Sequence, residues 1–337
     1  MNTAALVGQR IDGFHQPRAF LPVVAATLAI AAVASMVSES GPVSVAVVVM
    51  TVALLGIPHG AVDHLAAAAL GGPFDTSSRY RFTRDYVLVM LGVGLVWLVA
   101  PTIALVVFLI VSVHHFGQSD LAHLGLPRRR AVVVQWSRGL LLIGLPLVAH
   151  LEAVSPVIER LGGGDPASWS WLADRWILWS AVLVTQHLVV GWTLAHGHVD
   201  RPTLAREAIT VAALTTLFLT ADPLIGFAVY FGLWHSLAHL FVLADLLGTE
   251  PAPLRSVVRL ATPLSAVSIL AIVALVAGAS AADRVDLTVP LTFVFVSMLT
   301  MPHLLVVERI WSTHTVVEVP TRAPESPAGL LPGKETS

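Results

Sequence analysis

VSVAVVVMTVALLGIPHGAVDHLAAAA, residues 43–69, is the stretch on which the fold turns. From Val43 to Val62 it carries no charged side chain. A helix of about 20 residues at 1.5 Å rise spans roughly 30 Å, the thickness of a bilayer's hydrocarbon core. Within this run stand Pro58, His59, Gly60, Asp63 and His64. Ionisable groups at such depth are costly in lipid and mark function by default. The stretch therefore reads as a transmembrane helix that carries a buried polar site.

The rest of the chain repeats the apolar pattern. Of its 337 residues 56% are hydrophobic and only 12% are charged. A soluble domain carries about 25% charged residues, because its surface must be wetted; lipid accounts for the deficit. Ten apolar runs of spanning length lie near 19–38, 43–69, 86–100, 102–124, 132–151, 174–195, 206–221, 223–246, 257–279 and 288–311. The first is longer than the 7–15-residue core of a signal peptide and reads as a retained helix. Proline disfavours helix at the residue before it, so Ala100-Pro101 and Asp222-Pro223 read as hairpin points. The expected fold is all-α, a polytopic bundle of about ten transmembrane helices in a prokaryotic plasma membrane. It divides into an N-terminal segment 1–18, a helical domain 19–311 and a disordered tail 312–337, rich in Pro, Ser and charge.

Charge sets the expected orientation. With ten spans, every Lys and Arg except Arg160, Arg175 and Arg284 falls on one side. Short loops rich in Lys and Arg stay cytoplasmic, so both termini are expected there. A net charge of −2 gives no reason to expect nucleic acid. The absence of cysteine excludes disulfides and thiolate metal sites.

The residue skew is 14 histidines against a single lysine, Lys334. His59 and His64 fall on the second span, His114 and His115 on the fourth, and His187 on the sixth. His235 and His239 fall on the eighth, and His303 on the tenth. All lie on even-numbered spans, which run in one direction. On four of these the imidazoles sit roughly 18 to 24 Å from the helix start, counting 1.5 Å per residue. A single intramembrane histidine is usually a hydrogen-bonded core residue. Five at matched depth point to a shared site, and imidazole is a ligand for Fe, Zn, Cu and Ni. His235 and His239, spaced i and i+4, share a helix face. His59 lies between Pro58 and Gly60, where a weakened ladder and a close neighbour suit a buried site. Asp63, at i+4 from His59, is placed to accept a ligand's second ring proton. His64 lies off that face, and His114 and His115 are about 100° apart on a helix. His187 reads as a core residue.

Four motifs carry a resemblance: Gly56-Ile57-Pro58-His59-Gly60-Ala61-Val62-Asp63-His64, His115-Phe116-Gly117-Gln118-Ser119-Asp120, Tyr230-Phe231-Gly232-Leu233-Trp234-His235-Ser236-Leu237-Ala238-His239, and Met301-Pro302-His303. In this order, over about residues 43–311, they resemble the Brp/Blh family of membrane β-carotene 15,15'-dioxygenases. The resemblance implies cleavage of the central double bond of β-carotene by O2 to two all-trans-retinal. It implies a non-haem Fe(2+) held by His59, His115, His235 and His239, and transfer of retinal to a rhodopsin apoprotein. Asp63, Asp120 and His303 are expected around these ligands, with the two carboxylates hydrogen-bonding in support.

A C40 hydrocarbon offers no polar handle, so it must be held by shape and apolar contact. Phe116, Tyr230, Phe231 and Trp234 adjoin the proposed ligands and are candidate substrate contacts; ordinary helix packing explains them equally well. Two other readings remain open on the residues. One is a membrane di-iron hydroxylase or desaturase, which needs more His-x-x-x-His and His-x-x-His-His clusters than this chain has. The other is a haem-binding or metal-transporting bundle.

Overall fold

The computed structural model describes residues 17–36, 41–70, 75–247 and 253–314. Most of the expected N-terminal segment and tail, residues 1–16 and 315–337, lies outside them. Among the described residues nine helices are long and apolar enough to cross a membrane. The chain is an all-α, multi-pass integral membrane protein.

In chain order the helices are α1 (Pro17–Ala34), α2 (Pro42–Ala69), α3 (Thr76–Val99), α4 (Pro101–Leu124), α5 (Arg128–Ala149), α6 (Leu151–Ile158), α7 (Trp176–Ala195), α8 (Arg201–Thr220), α9 (Pro223–Ala244), α10 (Pro253–Ala281) and α11 (Thr288–His314). Each of the ten apolar runs becomes a helix. The first is the exception in length: its apolar part, Phe20–Ala34, is shorter than the other nine. The run at 86–100 is longer than its hydropathy suggested, because α3 begins ten residues earlier at an Asp75 cap. Both proline hairpins form. Asp222 caps α9 by accepting from the backbone N–H of Leu224 and Ile225 at 2.9 and 3.1 Å. Short α6, beyond the tenfold pattern, joins α5 to the loop before α7.

The bundle is ordered by burial. The apolar window of α9 is 67% buried, whereas that of α3 is 6% buried. Leu98, Val99, Ile177, Val267 and Leu270, on α3, α7 and α10, point outward. In water those side chains would oppose folding; in hydrocarbon they are at home. Helices α4 and α5 approach backbone to backbone. A Cβ on Gly117 would strike the Gln135 carbonyl oxygen, and one on Gly139 would strike that of Val113. Small residues let backbones approach this way where lipid gives no hydrophobic drive for association.

The two helices that carry His59, His235 and His239 are irregular. In α2 a π turn covers Val52–Gly56, with the Ile57 N–H bonding the Val52 carbonyl. The helix breaks again at Ala61-Val62 and resumes at Asp63. In α9 a π turn covers Tyr230–Ser236, with the Leu237 N–H bonding the Gly232 carbonyl. The turns pack on each other through their glycines. A Cβ on Gly56 would overlap the Phe231 ring, and one on Gly232 would lie 2.8 Å from Thr51 Cγ2. Single π turns are frequent at functional sites, and irregular backbone at membrane depth is tolerated where it lines a cavity.

Candidate metal centre

The π turns and the break in α2 bring His59 and His235 together edge to face, with ring centroids 5.2 Å apart. His115, from α4, lies 4.9 Å from His235. His303, from α11, lies 4.8 Å from His59, 5.3 Å from His115 and 5.2 Å from His239. His239 stacks one turn along α9 from His235, at 6.5 Å. Five imidazoles from four helices thus form one cluster, and all five are buried.

His59 Nδ1, His115 Nδ1, His235 Nε2, His239 Nε2 and His303 Nε2 are buried and have no hydrogen-bond partner. A buried polar atom without a partner costs about 1–3 kcal/mol, so five together need an explanation. A cation shared by their lone pairs supplies one. The donor set, neutral imidazoles in an apolar wall, suits a first-row transition metal rather than Mg2+ or Ca2+. The rings converge, yet among the described residues no three His, Asp or Glu side chains are arranged to hold a metal ion.

Around the cluster, expectation and structure differ in informative ways. Asp63 is buried as expected, but its imidazole is His303: Nδ1 lies 2.9 and 3.0 Å from the two carboxylate oxygens. The break at Ala61-Val62 removes the simple i, i+4 relation between Asp63 and His59. The Tyr86 hydroxyl donates to the same carboxylate at 3.2 Å. Tyr86 was missed because it stood at the edge of an apolar run; a tyrosine among only three in the chain was its one signal. Asp120 is paired with Arg138 at 3.0 Å rather than with an imidazole. Arg138 also pairs with Glu207, which lies 3.2 Å from His123. Asp120 and Glu207 line a small cavity of about 40 Å3 behind His235 and His239. Glu207 is the second residue that sequence reasoning overlooked, hidden at the start of an apolar run.

Three other histidines stand outside the cluster. His114 bonds Glu308 at 2.6 Å and tilts over Trp136. His187 bonds the Ser137 hydroxyl at 2.8 Å, the satisfied core residue it was read as. His64 lies at the cavity rim, half-buried.

The cluster forms one wall of a cavity of about 270 Å3. His59, His115, His235 and His303 line it, and Phe116 and Phe231 flank them. Phe116 packs edge-on to His235 at 4.7 Å, and Phe231 stacks on the same ring at 5.7 Å. Tyr230 meets Phe116 edge-on at 5.5 Å on the far side from the cluster's cavity. Trp234 turns away: its indole donates to Thr27 of α1 at 2.9 Å.

Residues 50–311 match the sequence pattern of the family described as Beta-carotene 15,15'-dioxygenase. Two relatives are each 28% identical. One is the protein named Probable beta-carotene 15,15'-dioxygenase Blh of Halobacterium salinarum, over 66% of this chain and 69% of its own. The other is the Beta-carotene 15,15'-dioxygenase of uncultured marine bacterium 66A03, over 56% of this chain and 65% of its own. No solved structure matches.

Proposed function

This chain belongs to the β-carotene 15,15'-dioxygenase family, and on that footing we propose that it cleaves the central double bond of β-carotene with O2, giving two molecules of all-trans-retinal. The observation that carries the reading is a cluster of five buried imidazoles with partnerless nitrogens, four of which line an apolar cavity inside a membrane protein. The balance of the reaction is simple. One C=C and one O2 become two C=O groups, with no added reductant and no proton.

His59, His115, His235 and His239 would hold a single non-haem Fe(II). Iron bound there would supply the redox chemistry by which O2 attacks a closed-shell polyene. Neutral imidazoles leave the 2+ charge undiminished. His303 is held differently from the other four. Its Nδ1–H is engaged by Asp63, so its Nε2 lone pair is kept toward the cluster. Outer carboxylates of this kind fix a ring's tautomer and raise its basicity. His303 is accordingly a positioning residue and a fifth nitrogen donor within reach. Phe116 and Phe231 give the substrate apolar walls beside the histidines and keep water from the reacting carbons. Asp120 acts through Arg138, steadying the helix that carries His115.

The arginine-rich face is the cytoplasmic side, with both termini there. Retinal would leave into the bilayer, where a rhodopsin apoprotein is the class of acceptor. The test is expression in bacteria engineered to make β-carotene. The expected result is bleaching of the cells with accumulation of retinal. Cells that stay orange and contain no retinal would overturn the assignment.

A further inference from the structure

A second apolar cavity, of about 140 Å3, lies beyond the histidine cluster between α4, α5, α6, α9 and α11. It shares Phe116, Val296 and Thr300 with the cavity that the histidines line. These three side chains form the partition between the two spaces, and Phe116 is the one that touches His235. At the other end, the first cavity reaches Val87 of α3 and Leu264 and Val267 of α10. All three are exposed, on the outside of the bundle. Helices α3 and α10 each pack on α11 and make few or no contacts with one another.

We infer that the two cavities are the two arms of one tunnel for a rod-shaped polyene, entered from the bilayer between α3 and α10. The inference rests on the substrate class proposed above. Neither space alone reaches the ~300–1,000 Å3 of pockets for drug-sized ligands, so neither holds a C40 molecule by itself. An apolar rod that lies through both passes the histidines between its ends. One half occupies the entry arm, and the other half passes the Phe116 partition. Apolar contact along both arms, rather than any polar contact, then places the midpoint at the cluster. The second arm is a measuring device for the far half of the substrate.

The test blocks the second arm from two different helices with Leu109→Trp and Val157→Trp, both of which line it. Binding of β-carotene and of retinal is measured on iron-free protein. Iron uptake and thermal unfolding serve as controls on the fold. Retinal is half the length and needs only the entry arm. The expected result is a tenfold or greater loss of β-carotene binding in both variants, with retinal binding within twofold of the wild type. Wild-type β-carotene binding in both variants would overturn the tunnel. So would equal loss of both ligands in variants that still take up iron. A variant that fails the fold controls is replaced by its counterpart on the other helix. If the iron-loaded wild type makes no retinal, the proposed activity fails, while the binding comparison still decides the tunnel.

Discussion

At the scale of single residues, the cluster makes a sharp division among the histidines. His235→Ala and His239→Ala each remove a buried, partnerless donor from the cluster. Both should abolish iron binding, measured by metal analysis of the purified protein, and retinal formation with it. His187→Ala should keep both, because His187 is satisfied by Ser137 on the far side of α5. Asp63→Ala frees the His303 ring, and loss of such an outer partner typically costs 10–100-fold in metal affinity. The expected outcome is a raised dissociation constant for Fe(II) in a titration, with stoichiometry restored at high iron; unchanged affinity would remove His303 from the centre. The histidines themselves were legible in the sequence because imidazole is rare in apolar helices and cannot be there idly. Their outer partners were less so. Asp63 and His303 are 240 positions apart, and nothing local marks Tyr86 or Glu207 as members of the site.

At the scale of the helix, the same substitution is expected to act with opposite sign at two glycines. Gly117→Ala places a methyl group against the backbone carbonyl of Gln135. Backbone cannot rotate away as a side chain can, so the cost should be at least the ~1–3 kcal/mol of ordinary overpacking. The variant should unfold at lower temperature in detergent and bind iron weakly, since His115 stands two residues away on the same helix and moves with its backbone. Gly191→Ala on α7 meets open space. There the gain in helix propensity, about 0.5–1 kcal/mol, should raise stability slightly. A smaller effect belongs to the start of α3. Asp75 accepts from the Ser78 hydroxyl, from the Ser78 N–H at 2.9 Å and from the Ser77 hydroxyl at 2.9 Å, and these bonds hold its carboxyl down to about 2. A depressed folded value means that the cap contributes above the ordinary carboxylate range and is lost as pH falls through about 2. The stability difference between Asp75→Ala and the wild type should therefore vanish at that pH. Helix existence and the two proline hairpins were readable from apolar run length and Pro101 and Pro223. The π turn at Tyr230–Ser236 was not, since no proline or charge marks it; it is imposed by packing against the π turn of α2.

For the whole molecule, the account assigns the arginine-rich face to the cytoplasm. The chain has no native cysteine, so single cysteines report cleanly. Ser168→Cys, in the loop between α6 and α7, should react in intact cells with a thiol reagent that cannot cross membranes. Ser77→Cys, at the start of α3, should react only after permeabilisation. The reverse pattern would invert the topology. The orientation rests on arginines crowding one set of loops, and the thiol labelling is what tests it, whereas the tunnel was invisible in sequence: its walls are the same Leu, Val and Phe that face lipid. The central claim, one iron among these histidines cutting a polyene at its middle, is tested most directly by stoichiometry. Purified protein is loaded with Fe(II), given a known amount of β-carotene and exposed to O2. The account predicts one iron per chain and two retinal for each β-carotene consumed. One retinal with a longer apocarotenal, or the same yield from iron-free protein, would contradict it.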